Sequence, residues 1–418
     1  MTGQALTPDA ATSDAAAPTH GRGTRSPSQR RALIAWSALA EPGDAVAATV
    51  VEHLGAAEAL TWLASARHDP LAATHEIAPH LPTEVRAHLI AGIERWARRW
   101  DSGLADHERR ARAVNAQVLT RTDPGWPHAL GDLGITTPFA LYVRGDNDLD
   151  ALWSRSLAVV GARAATAYGC HMADVVVAGA ASVGASVISG GAYGIDAAAH
   201  RSALAHGTRT VAVMAGGIDR LYPTGNTDLL RQVIEHGAVV AEVPPGFAPH
   251  RSRFLSRNRL IGAASATVVV EAALRSGALN TVRHAADLAR PVGAVPGPAT
   301  SASSAGCHEV MREAGAVVVA CHEHVVELVV STPEWSARPH PAQASPSRRD
   351  TLDFATAAQR AVYDATSTHP RDMEAIAQQA GLDLASVRTA MGALSARGLI
   401  EAHQGGWTRV SRPFRKGA

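Results

Sequence analysis

Short runs of apolar residues recur between residues 157 and 319, separated by longer stretches in which apolar residues have helical spacing. Most of these runs are apolar throughout instead of alternating with polar residues, which is typical of strands buried on both faces of a parallel sheet. The runs are Leu157–Val160, Ala185–Ile188, Thr210–Met214, Val239–Ala241, Thr267–Val270, Pro291–Val295 and Val317–Val319. The pattern predicts an α/β domain over residues 117–330, built on a doubly wound parallel sheet covered by helices.

The segments on either side of this sheet region have different patterns. Residues 28–115 carry apolar residues at helical spacing and indicate a small helical domain. Residues 353–412 contain three helical runs followed by two short segments around a Gly405-Gly406 turn, which is the order of a winged helix. Residues 1–27 and 331–351 are rich in small polar residues and proline, so a disordered tail and a linker are expected there.

The bulk composition is that of a globular chain and indicates no partner by itself. The 418 residues carry a net charge of only +1, so any nucleic-acid site must be a local feature of the chain. The cysteines Cys170, Cys307 and Cys321 form no CxxC pair, and the segments Cys307-His308 and Cys321–His324 match no standard zinc spacing. The sequence therefore predicts no disulfide, no metal and no cofactor.

One segment imitates a secretory signal. Arg30-Arg31 precedes the apolar run Ala32–Ala40. The run begins only after a long tail, however, and a second apolar helical stretch, Val46–Leu54, follows it, which favours two packed helices. Nowhere do apolar residues approach the run of about 20 that crosses a membrane. A cytoplasmic protein without a membrane segment is expected.

Two glycine turns follow predicted strands and are candidate phosphate sites. Gly161-Ala162-Arg163 follows the first strand, and Ser189-Gly190-Gly191 follows the second. Ligands of open α/β sheets bind beyond the carboxyl ends of strands, where N–H groups at the start of a helix attract anions. Arg163 would add a planar cationic donor. The alternative is a tight strand–helix connection without a ligand. The glycines of the first turn do not have the GxGxxG spacing of a dinucleotide site.

Ser189, Asp196 and His200 could also suggest a hydrolase triad, because Asp196 and His200 share a helix face. The sequence has no GxSxG elbow, and all three residues lie within one short loop–helix unit. We favour a simpler interpretation, in which Asp196 caps the start of the helix and His200 packs or hydrogen-bonds nearby. No catalytic residue is predicted.

The segment His250–Arg259 is the densest basic feature. It holds four arginines around Phe254, and no acidic residue occurs between Pro244 and Val270. Arginines interleaved with an aromatic residue are typical of a single-strand site, where the charges meet phosphates and the ring stacks on a base. The alternative is a solvated helix in which Arg257 or Arg259 bonds the loops beneath it. The predicted site for single-stranded DNA comprises Gly161, Arg163, Ser189, Gly190, Gly191, Arg253, Phe254, Arg257, Asn258, Arg259, Ser276 and Gly277.

Taken together, the motifs resemble the DprA/Smf family of bacterial DNA-processing proteins in order and spacing. The helical head and the winged-helix tail resemble the family's optional flanking domains, the head being similar to a SAM or HhH domain. The matching blocks are Gly161–Arg163, Ser189–Asp196 with Ala199-His200, Gly216–Asp219 with Tyr222-Pro223, Phe254 with Arg257–Arg259, Glu271-Ala272 with Ser276-Gly277, and Val295–Gly297, after a lead-in at Leu130–Leu133 and Pro138–Gly145.

The resemblance implies an extended Rossmann-like fold and a protein that is not an enzyme. It further implies non-specific binding and protection of single-stranded DNA during natural transformation or recombination, help in loading RecA, and a homodimer formed through the Rossmann-like domain. The chain departs from the family pattern at Glu41–Asp44, where a Pro-Gly-Ile-Gly-like loop is usual, and at Tyr193, a position that is basic in some members. The predicted recognition helix has only Arg388 and Arg397 as bases, which makes a protein contact an alternative role for the tail.

Two other functions remain open. Nucleotide phosphoribohydrolases similar to the LOG type carry a glutamate in a glycine-rich motif, and here His284 takes that position, leaving Glu271 as the nearby carboxylate. Release of adenine from AMP would favour that activity. The second alternative is a regulator that binds duplex DNA through its winged helix, which a preference for a defined duplex would favour.

Overall fold

The computed structural model describes residues 27–331 except residue 314, and residues 356–410 except 368–369, 397–398 and 404–405. The chain divides into two compact units, with the boundary between Pro341 and Ala342. The predicted disordered tail and linker lie outside the described residues, apart from Pro27 and Ser331 at their ends.

The first unit begins with a helical head that agrees with the predicted small helical domain. Trp36 and Trp96 lie at its centre, fully buried and edge to face with ring centroids 5.3 Å apart. Asp44 and Asp69 start two of the helices by accepting hydrogen bonds from main-chain N–H groups, as N-cap residues do. The helices are α1 Pro27–Leu39, α2 Ala45–Leu54, α3 Ala56–Ala66, α4 Pro70–Ile77, α5 Thr83–Ala97, α6 Trp100–Gly103 and α7 His107–Arg112.

A nine-stranded sheet follows, in the order β1-β2-β6-β5-β4-β3-β7-β8-β9. All seven predicted strands are present and pair in parallel. The strands are β1 Gln117–Thr120, β2 Ala140–Gly145, β3 Ser156–Val160, β4 Ser186–Ser189, β5 Thr210–Met214, β6 Ala238–Ala241, β7 Ala266–Val269, β8 Val292–Ala294 and β9 Val317–Val318. The pattern missed β1 and β2, which extend the sheet as antiparallel strands. For β2 the sequence held a signal, the apolar run Ala140–Val143 between the breakers Pro138 and Gly145.

Two helical layers explain why the strand sequences are apolar throughout. Along β3, Leu157 and Val159 face one core, whereas Ala158 and Val160 face the other. Helices α9 Ala167–Ser182, α10 Ile195–Ala205 and α15 His322–Val330 cover the first face. Helices α12 Arg251–Gly262, α13 Gly277–Asp287 and α14 Ala305–Glu313 cover the second. The remaining helices of the unit are the short α8 Leu149–Trp153 and α11 Thr227–His236, and the doubly wound α/β prediction is confirmed.

This topology creates a crevice beside β3. The chain leaves β3 toward α9 on one face of the sheet and leaves the neighbouring β7 toward α13 on the opposite face. Adjacent strands whose connections diverge in this way leave an opening at their carboxyl ends, where ligands of open α/β sheets bind.

The second unit is a winged helix, as predicted. Its helices are α16 Ala357–Ala365, α17 Met373–Ala380 and α18 Leu384–Ala396, followed by a hairpin of β10 Ile400–His403 and β11 Gly406–Arg409. Val362, Ile376, Val387 and Leu394 bring the three helices together around one apolar core. Among all the residues that the structure describes, no helix is both long enough and apolar enough to span a membrane.

Candidate nucleic-acid interface

A cavity of about 500 Å³ occupies the crevice between β3 and β7. Its walls come from the turn after β3, from Ala192 and Asp196 after β4, from α12 and from the start of α13. Seven of the predicted site residues line it: Gly161, Arg163, Phe254, Arg257, Asn258, Ser276 and Gly277. The structure thus brings together residues from three separate motifs at the carboxyl edge of the sheet.

Phe254 lies in the wall of this cavity and outside the apolar cores. Its side chain is half-buried, with the guanidinium of Arg163 5.3 Å from the ring centroid on one side and that of Arg257 6.0 Å away. The ring of exposed Tyr222 lies 6.0 Å from that of Phe254 at an angle of 54°. An aromatic ring held by cations beside an open cavity can stack on a planar apolar group.

Arg163 and Arg251 are the exposed cations of the cavity wall. Within the described parts of the chain, neither of them makes an ion pair with a carboxylate. Their charges are therefore available to an anion that enters from solvent. Arg251 belongs to the basic segment noted in the sequence but was not among the predicted site residues, although helical spacing puts it on the same face as Phe254 and Asn258.

Arg257 reaches the cavity from beneath and serves the protein itself. Its side chain is buried, and its guanidinium donates to the main-chain oxygens of Gly190, at 2.9 Å, and of Val213. Burial lowers the pKa of Arg257 to about 10, while nearby Asp196 acts in the opposite direction. A Cβ at Gly190 would come within 2.6 Å of this guanidinium, so the close approach requires glycine at that turn.

Arg253 and Arg259, two of the residues predicted to bind single-stranded DNA, do not line this cavity. Both are buried and paired with carboxylates that are distant in the sequence. Arg253 binds Glu41 of the head at 2.9 and 3.0 Å, and Arg259 binds Glu242 at 2.6 and 2.7 Å. Guanidinium groups held in this way by two bonds to one carboxylate are not available to phosphate.

The second glycine turn also lies below the cavity, because Ser189, Gly190 and Gly191 are buried. The hydroxyl of Ser189 donates to the main-chain oxygen of Val159 at 2.7 Å, and the amide of Gly190 donates to the carboxylate of Asp196 at 3.1 Å. None of these three residues lines the cavity, and the prediction that they contact DNA directly has no support from their positions.

The arrangement of Asp196 and His200 is structural. Nδ1 of His200 lies 2.8 Å from the Thr210 hydroxyl, as the simpler interpretation predicted, and burial lowers the His200 pKa to about 3. Asp196 accepts from the loop amides of Gly190 and Ala192 instead of capping its own helix. Its burial raises its pKa, and Arg257 opposes that effect. His200 bonds the Thr210 hydroxyl, and its Nε2 meets neither Ser189 nor Asp196, so these residues assemble no triad.

The residues at the start of α13 hold the far wall. Ser276 caps this helix, since its hydroxyl accepts from the amide of Ala278 at 3.2 Å. Asn258 donates to the main-chain oxygen of Gly277 at 3.2 Å and so ties α12 to α13. On the opposite wall, a Cβ at Gly161 would come within 2.6 Å of Ile195, which explains the glycine there. These contacts set the width of the cavity.

Exposed tyrosines lie at this edge and were not among the predicted site residues. Tyr193 and Tyr222 follow β4 and β5 at this edge and are 49% and 47% exposed, unusual values for large rings. The hydroxyl of Tyr193 accepts from the amide of Gly225, which links the two loops. The signal available in the sequence was a tyrosine placed directly after a glycine turn or in a Tyr-Pro pair.

The carboxylate considered for glycosidic cleavage is engaged elsewhere. The Thr166 amide and hydroxyl donate to the two oxygens of Glu271, at 3.0 and 2.6 Å, and Glu271 does not line the cavity between β3 and β7. His284 is half-buried, and burial lowers its pKa. No cluster of three or more histidine, cysteine or acidic side chains suited to a metal occurs in the described ranges.

Comparison with known proteins places these features in a family. The family model of the DNA recombination-mediator protein A matches residues 117–330, and that of the DprA winged helix domain matches residues 338–406. The putative DNA processing protein DprA of Mycobacterium tuberculosis is 43% identical over 304 residues, which cover 70% of this chain and 76% of that protein. The protein Smf of Escherichia coli is 34% identical over 279 residues, covering 66% and 72%.

A solved structure agrees with this result. The X-ray structure of DNA processing protein A from Streptococcus pneumoniae is 27% identical to this chain and superposes with a TM-score of 0.57. The match covers 72% of this chain and 97% of the Streptococcus pneumoniae chain.

Proposed function

Because the chain belongs to the DprA/Smf family, we propose that it binds single-stranded DNA without strong sequence preference at the cavity between β3 and β7. The observation that carries the proposal is that Arg163 and Arg251, two exposed arginines with no ion pair among the described residues, line the same cavity as the half-buried ring of Phe254. Arginines of this kind neutralise phosphates, and an aromatic ring accepts any base because every base has a flat face.

A single strand suits this site better than a duplex. The ring of Phe254 lies in a concave wall, where only an unstacked base can reach it. Bases within a duplex are stacked on one another and present only their edges in the grooves. We therefore infer that affinity for a single strand exceeds affinity for a blunt duplex of the same length.

The finer parts of the role follow from the family and are proposals for this chain. They are protection of the bound strand, delivery of the strand to RecA, and a homodimer formed through the Rossmann-like domain. For the dimer, support comes from β9, an edge strand whose Val317 and Val318 are 54% and 45% exposed, because an exposed apolar edge strand can pair with another chain. Light scattering should show a dimer at micromolar concentration, and Val318→Lys should shift the protein toward monomer. A monomeric wild-type protein would refute the dimer.

For the winged helix we propose a contact with protein instead of duplex DNA. Among its described residues, helix α18 exposes Leu384, Ala385, Arg388, Thr389, Gly392 and Ser395, of which Arg388 is the one cation. Arg397 lies outside the described residues. Duplex binding depends on several phosphate contacts, and this surface offers few. Removal of residues 342–418, which form a separate compact unit, should leave the affinity for a single strand nearly unchanged.

The deciding experiment measures binding of single- and double-stranded oligonucleotides by fluorescence anisotropy across a range of salt. We expect preference for the single strand, similar affinity for unrelated sequences and a steep loss of affinity with salt. Preference for one defined duplex would favour the regulator. Incubation with AMP is run in parallel, and release of adenine would instead favour the phosphoribohydrolase.

A further inference from the structure

Three of the five tyrosines of the chain are exposed, and all three lie at the carboxyl edge of the sheet. Tyr168 follows β3, Tyr193 follows β4 and Tyr222 follows β5. Their exposed fractions are 41%, 49% and 47%. Because β5, β4 and β3 are neighbours in the sheet, the three rings follow one another across this edge.

A second cavity lies beyond Tyr168 at the same edge, where β3, β7 and β8 end. Its volume is about 540 Å³, and its walls include Tyr168, Pro296, Pro298, Ser301 and Ser304. The Tyr168 hydroxyl donates to the main-chain oxygen of Pro296, which fixes the ring while leaving much of its surface open. None of the lining residues is a lysine or arginine, and one of them, Glu271, is acidic, so the cavity suits an uncharged planar group better than a phosphate.

The loop of residues 161–166 separates the two cavities and is held rigidly. The Ala162 amide donates to the main-chain oxygen of Glu271 at 2.7 Å, and the Thr166 hydroxyl donates to its carboxylate at 2.6 Å. Arg163 lies in this loop and is exposed. A cation for the phosphate backbone therefore lies between two cavities that each have an aromatic wall.

We propose that the second cavity binds another base of the same DNA strand, stacked on Tyr168, and that the strand crosses the carboxyl edge from Tyr222 past Phe254 and Arg163 to Tyr168. This inference rests on the proposed binding of single-stranded DNA. Tyr222 follows β5, and the hydroxyl of Tyr168 reaches Pro296, which follows β8. Four strand spacings, or about 19 Å, separate β5 from β8, which is the rise of about five or six stacked nucleotides. A strand that fills both cavities is therefore longer than one that fills only the first.

The test compares two oligonucleotides at the limits of known single-strand sites, about 4 and about 16 nucleotides long. Their binding to the full-length protein is measured by fluorescence anisotropy. The variants are Tyr168→Ala, Tyr168→Phe, Phe254→Ala and, as a control, Leu71→Ala, which removes an exposed apolar side chain from the helical head. Thermal melts establish that each variant is folded.

We expect Tyr168→Ala to weaken binding of the long oligonucleotide by about 5- to 150-fold, as the loss of one base–aromatic stack does, and to leave the short one nearly unchanged. Phe254→Ala should weaken both, and Leu71→Ala neither. Tyr168→Phe keeps the ring but loses the bond to Pro296, so it should bind the long oligonucleotide like the wild type.

Wild-type affinity of Tyr168→Ala for the long oligonucleotide would overturn the inference. So would an equal loss in Tyr168→Phe and Tyr168→Ala, because the hydroxyl would then act by holding the loop. Both results leave the proposed function intact when Phe254→Ala is impaired. If the wild-type protein binds neither oligonucleotide, the proposed function itself fails, and the second site fails with it.

Discussion

Replacement of Arg163 by alanine tests whether this arginine binds a DNA phosphate or stabilises the fold. The Arg163 side chain is exposed, and its guanidinium carbon lies 5.3 Å from the centroid of the Phe254 ring. Such an exposed cation–π contact contributes about 0.5–1 kcal/mol. The free energy of unfolding should therefore fall by no more than this amount in Arg163→Ala.

The effect on binding should depend on salt. For single strands, each neutralised phosphate contributes about −0.7 to the slope of log affinity against log salt. Losing one contact should reduce the steepness by about 0.7, so the affinity ratio of wild type to variant should fall about fivefold for each tenfold rise in salt. The loss should be the same for unrelated sequences, because phosphate contacts carry no sequence information.

Fluorescence anisotropy titrations at several salt concentrations measure this slope, and circular dichroism melts establish folding. Arg98→Ala is the matched control, because Arg98 is an exposed arginine on the helical head, away from the cavity. A folded Arg163→Ala protein with the wild-type slope would refute the assignment of Arg163 to phosphate. Arg257→Ala should differ, since it removes the bonds to Gly190 and Val213 and leaves buried Asp196 without its cation, so it should lower stability by several kcal/mol.

Three further predictions concern Phe254, Glu41 and His200. Phe254→Ala should weaken DNA binding by about 1–3 kcal/mol. Because Phe254 is only half-buried, the free energy of unfolding should fall by less than the roughly 3–5 kcal/mol that loss of a fully buried phenylalanine costs. A thermal melt that shows the full loss of about 3–5 kcal/mol would contradict stacking. Burial raises the Glu41 pKa, but the hydrogen bonds from Arg253 and Arg99 outweigh it, so the pKa lies below its ordinary value of 4.5. Glu41→Gln should therefore lower the free energy of unfolding by about 1–3 kcal/mol at neutral pH. Denaturant unfolding should show this difference between variant and wild type disappearing as the pH falls below 4.5. A difference that stays constant with pH would exclude the ion pairs of Glu41 as its cause. Burial lowers the His200 pKa from 6.5 to about 3, so its neutral form stabilises the fold above pH 6.5 and that contribution is lost as the pH falls toward 3. Between about pH 7 and pH 5 the loss should be about 2 kcal/mol. His200→Asn, which cannot be protonated, should lack this component, and equal pH dependence in both proteins would count against it.

Local sequence pattern determined most of the architecture. Runs such as Leu157–Val160 are apolar at every position because helices cover both faces of the sheet, and that requirement is visible in the sequence without any knowledge of contacts. The glycine turns after β3 and β4 were equally clear, because a close approach of main chain to its neighbours excludes larger side chains. The run Ala140–Val143 marks β2 in the sequence, but its antiparallel pairing with β6 joins residues far apart in the chain, and the local pattern does not show that pairing.

Tertiary structure alone decided which arginines bind groups of the protein and which are left open to an incoming anion. Arg251, Arg253, Arg257 and Arg259 have the same charge and stand within nine residues of one another, so the sequence offered no way to rank them. Their roles depend on what each meets. Glu41 pairs with Arg253 across 212 positions of sequence, Glu242 pairs with Arg259, and the turn at Gly190 takes Arg257. Arg251 and Arg163 meet no carboxylate in the described residues, and an arginine can bind an incoming phosphate only where folding has brought no anion of the protein to it.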